Sequence, residues 1–152
     1  STDQAQLYSN PWSGNLTIHW GNSSDGCSNA AIEIAVISGA RIAPVLTRYA
    51  FDPCQTRSSV NSFNFVTSTN NNVSGKTFYY RTTIAVSPGL IARIIPFYAN
   101  SPMAAVGSTA LPSQGSTIVS TGKSGSTERK VNVFQGYPEV PSEYFPYNLF
   151  SP

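Results

Sequence analysis

Charge is what this sequence has least of. Only 11% of its 152 residues are Asp, Glu, Lys or Arg, against about 25% in an ordinary soluble domain. That excludes a charged coiled coil and an acidic disordered tail. The net charge is +2 with the basic residues scattered, which excludes a nucleic-acid binder that works by bulk charge. Reactive side chains are equally scarce: one His, two Cys and seven Asp plus Glu. Most metal centres and nucleophilic triads need more. No apolar run approaches the roughly 18 residues of a membrane span. The start at Ser1-Thr2-Asp3 carries no signal-peptide pattern and reads as a processed or trimmed terminus. What fills the chain instead is Ser, Thr and Asn, 47 residues together, with 8 Tyr and 8 Phe. The surface this implies is built from hydroxyls and amides rather than ions.

The two cysteines, Cys27 and Cys54, read as a disulfide of an oxidising compartment, closing a loop of 26 intervening residues. Two buried reduced thiols are the alternative, and a zinc site would have only His19 to add to the two sulfurs. Three N-glycosylation patterns, at Asn15, Asn22 and Asn72, are matches a chain of this composition produces by chance.

Apolar residues alternate with period two through most of the chain. Leu16, Ile18 and Trp20 share a face opposite Thr17 and His19. Ile32, Ile34 and Val36 oppose Glu33, Ala35 and Ile37. Further strands are expected over 45–51, 62–66, 76–86, 90–98 and 103–106. Ser87-Pro88-Gly89 reads as a turn, and Pro96 as the mark of an edge or a bulge. Two last strands, 116–121 and 127–135, flank Gly122-Lys123-Ser124-Gly125 as a hairpin loop of about four or five residues. Segments 21–26 and 68–75 are polar loops expected to be exposed. No window of a dozen residues has helical periodicity. The expected fold is all-β: one domain over 1–152, an antiparallel β-sandwich of about eight or nine strands, with a barrel as the alternative.

The end of the chain breaks the pattern. Residues 136–152 hold four prolines and five aromatics, Tyr137, Tyr144, Phe145, Tyr147 and Phe150. They are expected to strap the sandwich and bury their rings, or to form a docking surface.

No pair of acids has a spacing that sets up hydrolysis, although Asp52, Glu139 and Glu143 fall in loop-like contexts. No G-x-S-x-G elbow, phosphate loop or dinucleotide fingerprint occurs. His19 reads as a strand residue, and Tyr79-Tyr80-Arg81 as a strand before a nucleic-acid platform. No catalytic residue, cofactor or metal ligand emerges, and the expected role is non-enzymatic binding or assembly.

A resemblance sharpens this. Residues 120–125, then Arg129-Lys130-Val131-Asn132-Val133-Phe134-Gln135-Gly136-Tyr137-Pro138, then Pro141-Ser142-Glu143-Tyr144-Phe145-Pro146-Tyr147 and the residues to the end resemble the closing part of PilX-like type IV pilus-assembly proteins of small-genome, often episymbiotic bacteria. Weaker echoes are Trp20-Gly21 with Cys27, Arg57-Ser58-Ser59 with Asn61 and Phe63, residues 75–81, and residues 89–98. The resemblance implies a minor-pilin-like ectodomain at the cell surface, anchored before assembly by an apolar helix upstream of Ser1. Its implied partners are other pilins, and at a filament tip a host surface, a glycan or DNA. It brings no catalytic residues. Two other classes compete. Trp12, Trp20 and the tail tyrosines beside Asn-rich loops fit a secreted carbohydrate-binding sandwich, and the polar β-rich composition fits a viral or phage jelly roll.

Overall fold

The computed structural model describes residues 11–40, 42–113, 115–124 and 127–136. They fall into two compact units, one within Asn10–Leu111 and one holding a hairpin near the end of the chain. The aromatic tail, with Tyr137, Tyr144, Phe145, Tyr147 and Phe150, lies outside the described residues.

The first unit is built on a six-stranded sheet in the order β4-β3-β2-β7-β1-β8. Its strands are β1 (Trp12–Trp20), β2 (Ala31–Ala40), β3 (Ala43–Asp52), β4 (Asn64–Phe65), β7 (Tyr80–Phe97) and β8 (Met103–Gly107). The short pair β5 (Asn71–Val73) and β6 (Lys76–Phe78) forms a separate ribbon. Its turn, Ser74-Gly75, takes positive φ at both residues, the geometry that matches strand twist in a tight hairpin. The polar segment 68–75 thus contains a strand as well as a loop.

Strand β7 is the organising element, and it overturns a sequence expectation. Ser87-Pro88-Gly89 is not a turn: residues 80–86 of the expected 76–86 strand run on into the expected 90–98 strand as one strand of 18 residues, while Lys76–Phe78 splits off as β6. Its first half pairs antiparallel with β1, from Trp20↔Tyr80 to Trp12↔Gly89. Its second half pairs antiparallel with β2, from Ser38↔Gly89 to Ala31↔Phe97. Both ladders are irregular where they meet: between Trp12 and Gly14 on one side, between Ile37 and Ser38 on the other. Pro88 falls in this irregular stretch, where its missing N–H leaves no ladder bond unmade. Pro96 pairs with Ile32 in the second half, and β1 reaches no further along β7 than Gly89 among the described residues. Pro96 therefore lies on a one-sided stretch, as its chemistry requires.

Both wings feed one core. Leu16, Ile18 and Trp20 from β1, Ile32, Ile34 and Val36 from β2, and Tyr80, Ile84 and Val86 from β7 form one buried cluster. These are the inward sets that the period-two alternation assigns. Trp20 is fully buried and donates its indole N–H to the Ala30 carbonyl at 3.0 Å. Its ring lies 5.9 Å from that of Tyr80, whose hydroxyl donates to the Ser24 carbonyl at 2.8 Å. Each buried polar tip thus has its partner. Strand β2 departs from simple alternation, since Ala35 and Ile37 on its second face are buried too.

Two features correct the all-β antiparallel expectation. A seven-residue helix, α1 (Gln55–Asn61), follows β3. It carries the chain back so that β4 joins β3 in parallel, Phe51↔Asn64 and Asp52↔Phe65. A parallel pair needs such a crossover, and two turns of helix were too short to leave a periodic signature. The sheet is therefore mixed.

The second unit is the antiparallel hairpin β9 (Gly115–Ser124) and β10 (Thr127–Gly136). Pairing continues through Arg129↔Gly122, Glu128↔Lys123 and Thr127↔Ser124. Gly122-Lys123-Ser124 is therefore strand rather than loop, because cross-strand pairing here extends up to the turn.

Candidate functional site

Among the described residues, a dense polar construction lies where β3, α1, the end of β7 and the segment after β1 converge. The chain leaves β1 through Gly21, whose positive φ of 82° a side chain would resist and whose position leaves no room beside the Tyr80 ring. The following loop folds on itself. Asp25 caps a 3-10 turn, Gly26–Ser28, by accepting from the Cys27 N–H, and its carboxylate also accepts from the Ser28 hydroxyl. The Ser28 and Cys27 hydrogen bonds hold the Asp25 carboxyl below the usual carboxylate range. Asn29 is buried and knits the loop, donating to the carbonyls of Ser23 and Asp25 and accepting from the Asn22 N–H.

This loop is fastened to the start of α1. Cys27 and Cys54 form a disulfide with their Cα atoms 4.4 Å apart, as the sequence reading expects. The approach is so close that a Cβ on Gly26 would stand 2.0 Å from the Pro53 carbonyl oxygen. Only glycine fits there.

Beneath the bridge lies Asp52, the last residue of β3, fully buried. Both its oxygens are saturated. Oδ1 accepts from the Cys54 N–H and Arg57 Nη2, and Oδ2 from Arg57 Nε and Asn61 Nδ2, all at 2.8 Å. Burial alone would push the Asp52 carboxyl up. The hydrogen bonds from Arg57, Cys54 and Asn61 and the charge of Arg57 outweigh it and hold the group below its ordinary value. The same hydrogen bonds to Asp52 raise Arg57. Two of the remaining Arg57 N–H groups go to the carbonyls of Asn29 at 2.8 Å and Cys27 at 3.5 Å. Its guanidinium stacks 4.4 Å from the centroid of the Tyr98 ring. Phe63 and Phe97 meet edge to face alongside, at 6.1 Å.

The sequence reading singled out Asp52 as a loop-like carboxylate and Cys27, Arg57, Asn61, Phe63 and the 89–98 segment as separate echoes. The structure brings Cys27, Asp52, Arg57, Asn61 and Tyr98 together. It fixes Asp52 as a buried ion-pair partner with no lone pair left for proton transfer. Trp20, expected as a stacking ring, is buried. Trp12 is half-buried and donates its indole N–H to Thr109 Oγ1 at 3.0 Å. Tyr98, which the sequence reading placed only as the end of a strand and of the 89–98 echo, is an exposed ring, 63% accessible. Its position after a proline-bearing strand end was the available signal.

His19 lies apart, on the other face of β1. It is buried, with Arg81 of β7 and Ala104 of β8 as its strand neighbours. The Phe78 ring packs on it at 6.1 Å, with Lys76 Nζ over that ring. Its Nδ1 is buried without a partner. Burial, and then the Arg81 charge, push its pKa below 6.5. A depressed histidine contributes stability that is complete above 6.5 and is lost as pH falls through the folded-state value. Asp52 acts in the same direction lower down: its contribution is complete above 3.8 and is lost as pH falls through its depressed value. Urea midpoints measured from pH 8 to pH 3 should thus fall in two steps. His19→Gln should remove the upper step, and an unchanged midpoint between pH 7 and pH 5 in the wild type would contradict the assignment.

No family model, curated protein or solved structure matches this chain.

Proposed function

We propose that the protein is a non-enzymatic assembly module that works outside the cell, a pilin-like component of a type IV pilus or related surface filament. The observation that carries the reading is the disulfide-clamped knot on a sheet poor in charge. A cytosolic glutathione pool keeps such thiols reduced, whereas an oxidising exterior preserves the bridge. The resemblance carried by residues 120–152 supplies the kind of assembly.

The surface supports the same reading. The tip of the β2–β3 hairpin presents Ile42, 95% exposed, with Val45 at 57% and Leu46 following on opposite faces of β3. An apolar tip of this kind is a contact in search of a partner, and in a filament neighbouring pilins cover it. On this account the six-stranded sheet closes over its shared core as a β-sandwich, a finer reading supported by β1, β2 and β7 all contributing to one cluster. Contribution to attachment follows from a place at or near the filament tip.

Deleting the gene should reduce the number of surface filaments or the attachment of the cells. Normal filaments together with normal attachment would defeat the proposal.

A further inference from the structure

Tyr98 is the residue whose conformation the fold alone does not call for. It sits at φ 69°, a left-handed conformation that is an outlier for a bulky side chain. It is also 63% exposed, so burial of its ring does not offset the strain. Strain of this kind persists where surrounding contacts over-determine it, and it concentrates at binding surfaces. The contacts here are explicit. Arg57 covers one face of the ring at 4.4 Å. Arg57 is itself immobilised by both oxygens of Asp52 and by the Asn29 carbonyl. Asn61 Nδ2, which also donates to Asp52, stands 3.5 Å from the Tyr98 hydroxyl. The result is a flat ring fixed in place with much of its surface presented to solvent.

We propose that Tyr98 is a stacking platform for a neutral pyranose sugar, with the exposed Asn100 as an adjoining polar contact. Three observations select that ligand class. The positive charge behind the ring is matched by Asp52, so the platform does not call for an anion. The exposed polar residues next to Tyr98 and to its contact Asn61, namely Asn100 and Ser62, carry an amide and a hydroxyl rather than ions, the groups that hydrogen-bond sugar hydroxyls. The platform is a single ring rather than the row of parallel aromatic rings that grips a proline-rich peptide. Because the ring is already immobile, binding forfeits little side-chain freedom. The inference stands apart from the filament reading: a subunit of any assembly could carry it.

The test is a glycan array of neutral mono- and oligosaccharides probed with the full chain, followed by saturation-transfer NMR on the hits. Binding of neutral glycans is expected, with magnetisation transfer to one face of the pyranose. Tyr98→Gly is the decisive variant, since glycine accepts φ 69° without strain and the fold should be retained, as judged by its thermal midpoint. It should weaken binding at least tenfold, while Tyr98→Phe keeps most of it. No glycan binding, binding unchanged in Tyr98→Gly, or capture of nucleotides in place of sugars would overturn the proposal.

Discussion

Arg57→Ala should destabilise the protein by about 3–5 kcal/mol, the range for breaking a buried ion pair by removing one partner. The reason lies in Asp52. It is fully buried and takes two of its four hydrogen bonds from Arg57. Without the guanidinium, a carboxylate remains in the interior with half its acceptor capacity unmet, or takes up a proton and loses its charge. The substitution also frees the Asn29 and Cys27 carbonyls and uncovers the Tyr98 ring. Arg57→Lys should recover only part of the loss, because a single ammonium does not reproduce the fork that meets both carboxylate oxygens. Urea unfolding at neutral pH measures this directly. A loss below about 1 kcal/mol, the range of an exposed pair, would mean that Asp52 is solvated.

The second large effect concerns the disulfide. Replacing Cys27 and Cys54 together by Ala should cost roughly 3.5 kcal/mol on the chain-entropy model for a loop of this length. The loss should be coupled to that of Arg57→Ala. Arg57 ties the same two segments, reaching from α1 to the backbone of Cys27 and Asn29. With the bridge gone, the tie between the 21–29 loop and α1 rests on those hydrogen bonds, so removing Arg57 then costs more than it does in the bridged protein. A double-mutant cycle reads that coupling. Simple additivity would show that the bridge and the ion pair act on independent parts of the fold.

Much of this architecture was legible in period-two alternation, and the reasons it stopped where it did are physical. Leu16, Ile18, Trp20, Ile32, Ile34 and Val36 announced their inward faces because each strand has one side in the shared core. Ser87-Pro88-Gly89 misled because turn chemistry is local, whereas β1 and β2 seize the two halves of β7 from different parts of the chain and hold it extended. Helix α1 was invisible because seven residues give no periodic signal and Cys54, at its N-cap, makes no side-chain cap bond. The parallel β3–β4 pair follows from that helix and was missed with it.

The site divides in the same way. Two cysteines in a chain of this composition identify their own bridge. Asp52 and Arg57 are five residues apart across the β3–α1 junction, so their pairing appears only once the chain turns into the helix. Tyr98 is one of 8 tyrosines, and its place just after Pro96 at a strand end is the only local mark it carries. Its character comes from Arg57, more than forty positions away in sequence.

The claim that unites these observations is that the clamped, low-charge sheet is an exterior filament subunit. The most direct measurement is immunogold electron microscopy of surface filaments sheared from the producing cells, using an antibody raised against the Asn10–Leu111 unit. The account predicts gold along the filaments or at their tips. Gold absent from the filaments, with the protein recovered only from the soluble fraction, would contradict it.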